Sequence, residues 1–356
     1  MKAAVYDGSL LQVKDVAEPT MGPDDVLIKV RFCGICGTDV AIVNGWLKGP
    51  VPIIIGHEFS GDVIKVGNPK YEHLIGKKVT CEINANICGK CYYCVRGIPT
   101  QCIKRKALGI DIAGGMAEYI SVPNYLVHIL PDSINYEQGT FIEPLAAAYQ
   151  TFEMMPLNPA PSQLTTAKVK SSIGSVAVNL KTENVAIFGM GKLGLLILQV
   201  AKQYGLNIIV VDNSDKKLNL ANKLGASVSI NPSKIDVVEK IKAITNGVGV
   251  DYAIDCTGDE KVFQQLISVT RSRGKIHVKS THGLPVAINL TELVVREISI
   301  HTSRCGPFNK AIQGLESKKI SITEILTNIF PLDQINRAIE CLKEASTIKV
   351  LIKISD

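Results

Sequence analysis

No apolar run in this sequence approaches the ~20 residues that a membrane-spanning helix needs. The longest runs are short and interrupted, so no membrane span is expected. The first residues, M-K-A-A-V-Y-D-G, lack the apolar core of a secretory signal, and a cytoplasmic location is the expectation. No block of like charge stands out. The 39 basic and 33 acidic residues leave a formal charge of +6 spread along the chain, which argues against nucleic acid as a partner. No internal repeat is visible, which excludes a solenoid or a repeat array. What is present is the make-up of a folded protein, 46% apolar and 20% charged. Its 356 residues point to two domains. Ten cysteines in a chain expected to be cytosolic favour metal binding over a disulfide framework.

The first 130 residues read as short strands separated by turn signals. Val26, Ile28, Val30 and Phe32 alternate with Leu27, Lys29, Arg31 and Cys33, which is strand periodicity. Further strands are expected over 60–66, 78–83 and 117–122, together a β-barrel-like domain. From Ser133 the pattern turns helical through E-P-L-A-A-A-Y-Q-T-F-E-M-M, and a polar connection follows over 156–182. Strand and helix then alternate, with strands expected at 185–188, 207–211, 227–230, 252–255 and 275–279. Helices are expected at 193–204, 215–224 and 237–245, which is the signature of a doubly wound parallel sheet. Helices at 309–316 and 333–345 and a strand at 348–354 close the chain.

Three stretches carry chemistry. In F-C-G-I-C-G-T-D the strand runs into Cys36, Thr38 and Asp39: a thiolate, a hydroxyl and a carboxylate at its end. The pair Cys33 and Cys36 reads equally as a redox dithiol or as part of a zinc site. Cys88, Cys91, Cys94 and Cys102 are spaced C-x2-C-x2-C-x7-C in a loop with Gly89, Gly97 and Pro99. Four close thiolates suit a closed tetrahedral zinc that keeps no position for substrate; an iron–sulfur cluster is the competitor. G-M-G-K-L-G (Gly189, Gly191, Lys192, Leu193 and Gly194) follows a strand and opens a helix, whose free N–H groups suit a pyrophosphate. Asp212 stands 18 residues beyond Gly194 at the end of the second strand. A carboxylate there binds ribose hydroxyls and repels a 2′-phosphate, so NAD(H) is expected over NADP(H), with Lys217 in reach of the same ribose. His57 and Glu58 in G-H-E and Glu143 in E-P-L-A are weak signals singly. Cys36, His57 and one carboxylate together would give zinc three ligands and an open position.

C-G-T-D, G-H-E, the four-cysteine loop, G-G-M-A-E-Y, E-P-L-A and G-M-G-K-L-G stand in the order seen in the zinc-dependent medium-chain alcohol and polyol dehydrogenases, which the chain resembles over essentially its whole length. The resemblance implies a GroES-like β-barrel catalytic domain (1–154, with a structural-zinc lobe at about 81–105), a Rossmann NAD-binding domain (155–302) and a tail that returns to the first (303–356). It implies two zinc ions per chain. Cys36 and His57 would hold the catalytic one, with Glu58 or Glu143 as third ligand and Asp39 orienting a ligand. Cys88, Cys91, Cys94 and Cys102 would hold the other. Thr38 would take the substrate's hydroxyl proton. Many relatives then pass it to a histidine three residues on, where this chain has Ala41.

The expected activity is hydride transfer between NAD and a small alcohol, polyol or sugar, with threonine-type dehydrogenase and aldehyde reductase as alternatives. A nicotinamide-binding sensor without turnover is the reading from another class. The intact ligand set speaks against it and Ala41 for it. A homodimer or homotetramer is implied by the relatives.

Overall fold

The alternation places Val26, Ile28 and Val30 in the core of the strand Asp25–Gly34, but a register irregularity between Val30 and Phe32 then brings Cys33, rather than the expected Phe32, into that core. This strand is the hub of a seven-stranded sheet. It pairs antiparallel with Glu58–Val66, with Tyr119–Pro123 and, at its end, with Lys349–Lys353. Lys78–Cys81 and Val127–Ile129 extend the sheet on one side and Leu326–Pro331 on the other. A second sheet of three strands, Leu11–Asp15, Lys2–Tyr6 and Ile53–Ile54, and a short pairing of Asn84–Ala85 with Lys106–Ala107 belong to the same β-rich part. The computed structural model describes residues 1–157, 168–171, 174–177, 182–280 and 285–356. The expected connection over 156–182 lies largely outside these; within it Lys168–Ser171 pairs antiparallel with Gly174–Ala177.

The chain divides into two compact units, Met1–Ala147 with Cys305–Asp356, and Ala148–Arg304. In the second unit six strands are all parallel. Their order is Val228–Ile230, Asn207–Val211, Asn184–Phe188, Val250–Asp255, Thr270–Val278 and Ser299–Thr302, the doubly wound order with its switch point beside Asn184–Phe188. Val185, Ala186 and Ile187 are fully buried, as befits a strand covered on both faces. The helix Lys192–Gln203 buries every residue from Gly194 to Ala201. The expected GroES-like barrel and Rossmann-type sheet are thus both observed.

Several strands were not among those expected: Lys2–Tyr6, Leu11–Asp15, Ile53–Ile54 and Val127–Ile129 in the first unit, and two edges. Leu326–Pro331 alternates between half-buried and exposed and ends in proline, and Ser299–Thr302 is a short, mostly exposed edge. The single helix expected over 333–345 is a 3-10 turn, Leu332–Gln334, followed by a short helix, Ile335–Cys341. No described helix is long and apolar enough to cross a membrane.

Candidate metal centres and cofactor cradle

The strand Asp25–Gly34 stops where Cys36 takes the N-cap of the helix Gly37–Val43. Asp39, in the first turn of that helix, is fully buried. One of its carboxylate oxygens accepts from Cys36 N–H at 2.7 Å and the other from Gly56 N–H at 3.1 Å. That carboxylate therefore ties the cysteine segment to the G-H-E segment. Gly56 has φ +96°, and a Cβ there would lie 2.6 Å from Met116 Cγ and 2.7 Å from Cys33 Sγ, so glycine is required on both counts. Glu58 opens the next strand directly opposite Gly34. The register thus sets His57 and Glu58 across from Cys36. One potential ligand atom from each of the three lies within 4.8 Å of the others.

Glu143 sits half-buried in the first turn of Ile142–Met154 and is not part of that mutual set, although its charge reaches His57. Burial opposes protonation of His57, yet the charges of Cys36, Asp39 and Glu143 outweigh it and push its pKa up to about 10. His57 Nδ1 is buried without a hydrogen-bond partner, 3.7 Å from Asp39 Oδ1. A buried thiol, imidazole and carboxylate with surplus negative charge and an orphaned ring nitrogen fit a divalent cation. Thr38 Oγ1 is 3.8 Å from Cys36 Sγ. Cys33 is fully buried, outside the ligand set, and burial holds its thiol far above the ordinary range. It packs in the apolar core.

In the four-cysteine lobe the sulfurs also lie within 4.8 Å of one another. Cys91 Sγ is 3.5 Å from Cys94 Sγ, and Cys88 Sγ 3.5 Å from Cys102 Sγ. None of the ten cysteines is in a disulfide. A tetrahedron with ~2.3 Å metal–sulfur bonds has edges of about 3.8 Å, so one ion fits among these sulfurs better than a cluster of several irons. Cys102 Sγ accepts from the N–H groups of Cys88 and Lys104, each at 3.4 Å. Backbone N–H groups, Cys94 foremost, hold the Cys91 thiol down to about 6. Both features favour thiolates at Cys91 and Cys102, whereas burial and the neighbouring sulfurs push Cys94 up to about 12.

In the parallel sheet, Gly189 turns at φ +91° after Asn184–Phe188, and a Cβ on Gly194 would overlap the Gly189 carbonyl oxygen. Gly191 caps the helix with open space beside it. Lys192 and Leu193 begin the helix, half-buried. This is a cradle that a side chain would fill, at a helix end with free N–H groups. Asp212 is fixed more tightly than the sequence indicated. Its carboxylate accepts from Met190 N–H at 2.7 Å and from Ser214 N–H at 2.8 Å, so it braces the glycine turn. Lys217 lies in the first turn of Asp215–Leu224, where its N–H donates to Ser214 Oγ at 3.4 Å.

One residue of the first centre had no signal in the sequence. Lys349, 1% exposed, pairs with Glu58 Oε2 from the last strand of the chain. In I-K-V-L-I-K-I it alternates like Lys353, which reaches solvent.

Two family profiles match the chain: "Alcohol dehydrogenase GroES-like domain" over residues 22–132 and "Zinc-binding dehydrogenase" over residues 193–318. D-arabitol-phosphate dehydrogenase of Enterococcus avium is 32% identical over 346 residues, covering 95% of this chain and 92% of that protein. L-threonine 3-dehydrogenase of Pyrococcus abyssi is 33% identical over 361 residues, covering 98% and 96%. The chain belongs to the zinc-dependent medium-chain dehydrogenase/reductase family. A Sinorhizobium meliloti structure, described as a zinc-binding dehydrogenase bound to NADP, superposes with a TM-score of 0.86 at 28% identity, covering 99% of both chains. As a member of this family the protein is an oxidoreductase of CH–OH groups that uses zinc and a nicotinamide cofactor. The motifs that carried the resemblance therefore pointed to the right family.

Proposed function

We propose that the protein oxidises a hydroxyl of a polyol or sugar-like substrate with NAD, at a zinc held by Cys36, His57 and Glu58, with Glu143 as the carboxylate beside it. The observation that carries this reading is the gathering of three ligand atoms within 4.8 Å in a buried, anion-rich place. Three protein ligands leave a fourth tetrahedral position for substrate. Zinc held there would polarise the substrate hydroxyl, and NAD would supply the hydride acceptor. Asp39 holds the cysteine and histidine segments at fixed spacing. Thr38 takes the hydroxyl proton, and with Ala41 in place of a histidine, water completes the relay. Cys88, Cys91, Cys94 and Cys102 hold a second, structural zinc. In this reading residues 1–154 with 303–356 are the catalytic domain and 155–302 the cofactor domain. The enzyme works in the cytoplasm as a homodimer or homotetramer. Exposed Val294, Val295 and Ile300, on and before the outer edge strand Ser299–Thr302, support self-association.

The preference for NAD rests on Asp212. Two backbone N–H groups fix its carboxylate at the end of the second strand, where a 2′-phosphate would be repelled. Gly189, Gly191, Lys192, Leu193 and Gly194 cradle the pyrophosphate, and Lys217 reaches the ribose. Threonine-type dehydrogenase is the second reading, favoured by the identity to the Pyrococcus abyssi protein. A panel of polyols, sugar alcohols and their phosphates, threonine, simple alcohols and aldehydes, assayed by NAD(H) absorbance, tests the proposal. Turnover of threonine alone, or of aldehydes alone, would replace the substrate class. Absence of turnover with metal and cofactor both bound would favour the sensor.

A further inference from the structure

Two buried side chains tie the segment ending in Cys36 to the segment carrying His57 and Glu58. The first is Asp39, which takes an N–H group from each. The second is Lys349. Its ammonium donates to the Ile35 carbonyl at 2.8 Å, next to Cys36, and pairs with Glu58 Oε2, the two side chains being 1% and 0% exposed. Lys349 thus grips the carbonyl of one segment and the carboxylate of the other, from a residue 291 positions away in sequence from its acidic partner. Space for it is left by Gly34, the residue opposite Glu58. A Cβ on Gly34 would overlap Lys349 Nζ and lie 2.7 Å from its Cε and 2.8 Å from Glu58 Oε2.

A fully buried ion pair adds little net stability, because desolvation offsets the attraction. Its physical consequence is geometric: Oε2 of Glu58 is engaged, and the direction of the carboxylate is set. We infer that Lys349 is a positioning residue of the metal centre, holding one oxygen of Glu58 so that the other is presented to the ion at a fixed place. The inference rests on the reading of Cys36, His57 and Glu58 as ligands.

The test uses the full-length protein with Co2+ as probe, read by its ligand-field absorption and by dissociation constants from chelator competition. Cys36→Ser first identifies the signal of this centre against that of the four-cysteine lobe. Lys349→Met is expected to weaken Co2+ and Zn2+ binding there by about 10- to 100-fold, the range found when a residue supporting a ligand is removed, and to shift the absorption. In a Glu58→Gln background the same substitution should change the affinity by no more than about threefold, since its action runs through Glu58. Gly34→Ala keeps both charges but drives a methyl group into the pair, and should shift the absorption as well; it carries the test if Lys349→Met does not fold. A wild-type spectrum and affinity in the folded Lys349→Met protein would overturn the inference, as would an equal loss in the Glu58→Gln background or a wild-type spectrum in Gly34→Ala. The underlying ligand assignment fails separately, if Cys36→Ser leaves all bound metal in place.

Discussion

Gly56→Ala is a one-carbon change with a large expected effect. At φ +96° an alanine is strained whatever its surroundings, which costs about 1–3 kcal/mol. Its methyl group would lie 2.6 Å from Met116 Cγ, 2.7 Å from Cys33 Sγ and 3.1 Å from Met116 N. Both of those side chains are fully buried, so neither can swing aside into solvent. Overpacking of this kind adds about 1–3 kcal/mol. Together these give roughly 2–6 kcal/mol, a large share of the 5–15 kcal/mol by which a domain is stable. The damage is also directed. Gly56 N–H is the donor that Asp39 uses to hold the G-H-E segment, so movement here carries His57 away from Cys36. The assay pairs denaturant unfolding with bound-metal analysis, against Gly37→Ala as control, where a Cβ meets nothing within 4 Å. Expected are a clear drop in the midpoint and loss of one metal per chain for Gly56→Ala, and neither for Gly37→Ala. A Gly56→Ala protein with the control's midpoint and full metal content would refute the reasoning.

Further outcomes follow from the other sites. Cys36→Ser should lower zinc from about two ions per chain to about one by elemental analysis, and leave the four-cysteine lobe loaded. Cys94→Ser should melt that lobe, since structural zinc contributes about 10 kcal/mol or more to such an element; limited proteolysis within residues 88–102 would report it, and unchanged resistance would count against a zinc there. Asp212→Ser should reduce the ratio of kcat/KM for NAD over NADP at least about tenfold, a change of about 1.4 kcal/mol, and an unaltered ratio would remove its role in selectivity. His277 supplies a pH dependence. Burial, aided by the charges of Lys279 and His301, pushes it down from 6.5 to about 3. Its neutral form is favoured in the fold, so its contribution is present above pH 6.5 and is lost as pH falls from there toward 3. His277→Asn should therefore flatten the acid slope of stability by up to about 1.4 kcal/mol per pH unit in that window. Parallel slopes for variant and wild type in urea unfolding at pH 4–7 would contradict this.

Local order was largely written in the chain. The alternation of residues 26–30, the C-x2-C-x2-C-x7-C spacing and the glycine turn followed by an acid each need only neighbouring residues, and the first and last lie in the strand and the strand–turn–helix they predicted. The strand of residues 207–211 and the helix of residues 215–224 lie where periodicity put them. Weakly patterned edges did not announce themselves. Leu326–Pro331 and Ser299–Thr302 are held by their partner strands, and half-exposed edges carry little hydrophobic alternation.

Pairing register decided the rest. Nothing near Glu58 or Glu143 in sequence tells which carboxylate gathers with Cys36 and His57. The alignment of Gly34 with Glu58 across two antiparallel strands brings Glu58 into the set. The burial of Lys349, the bracing of the glycine turn by Asp212 and the need for glycine at residues 34 and 56 have the same origin. Sequence periodicity reports which face of an element is apolar. Only the folded chain reports what stands opposite it, because a charge becomes buried, paired or directional through partners that the linear order keeps tens to hundreds of residues away.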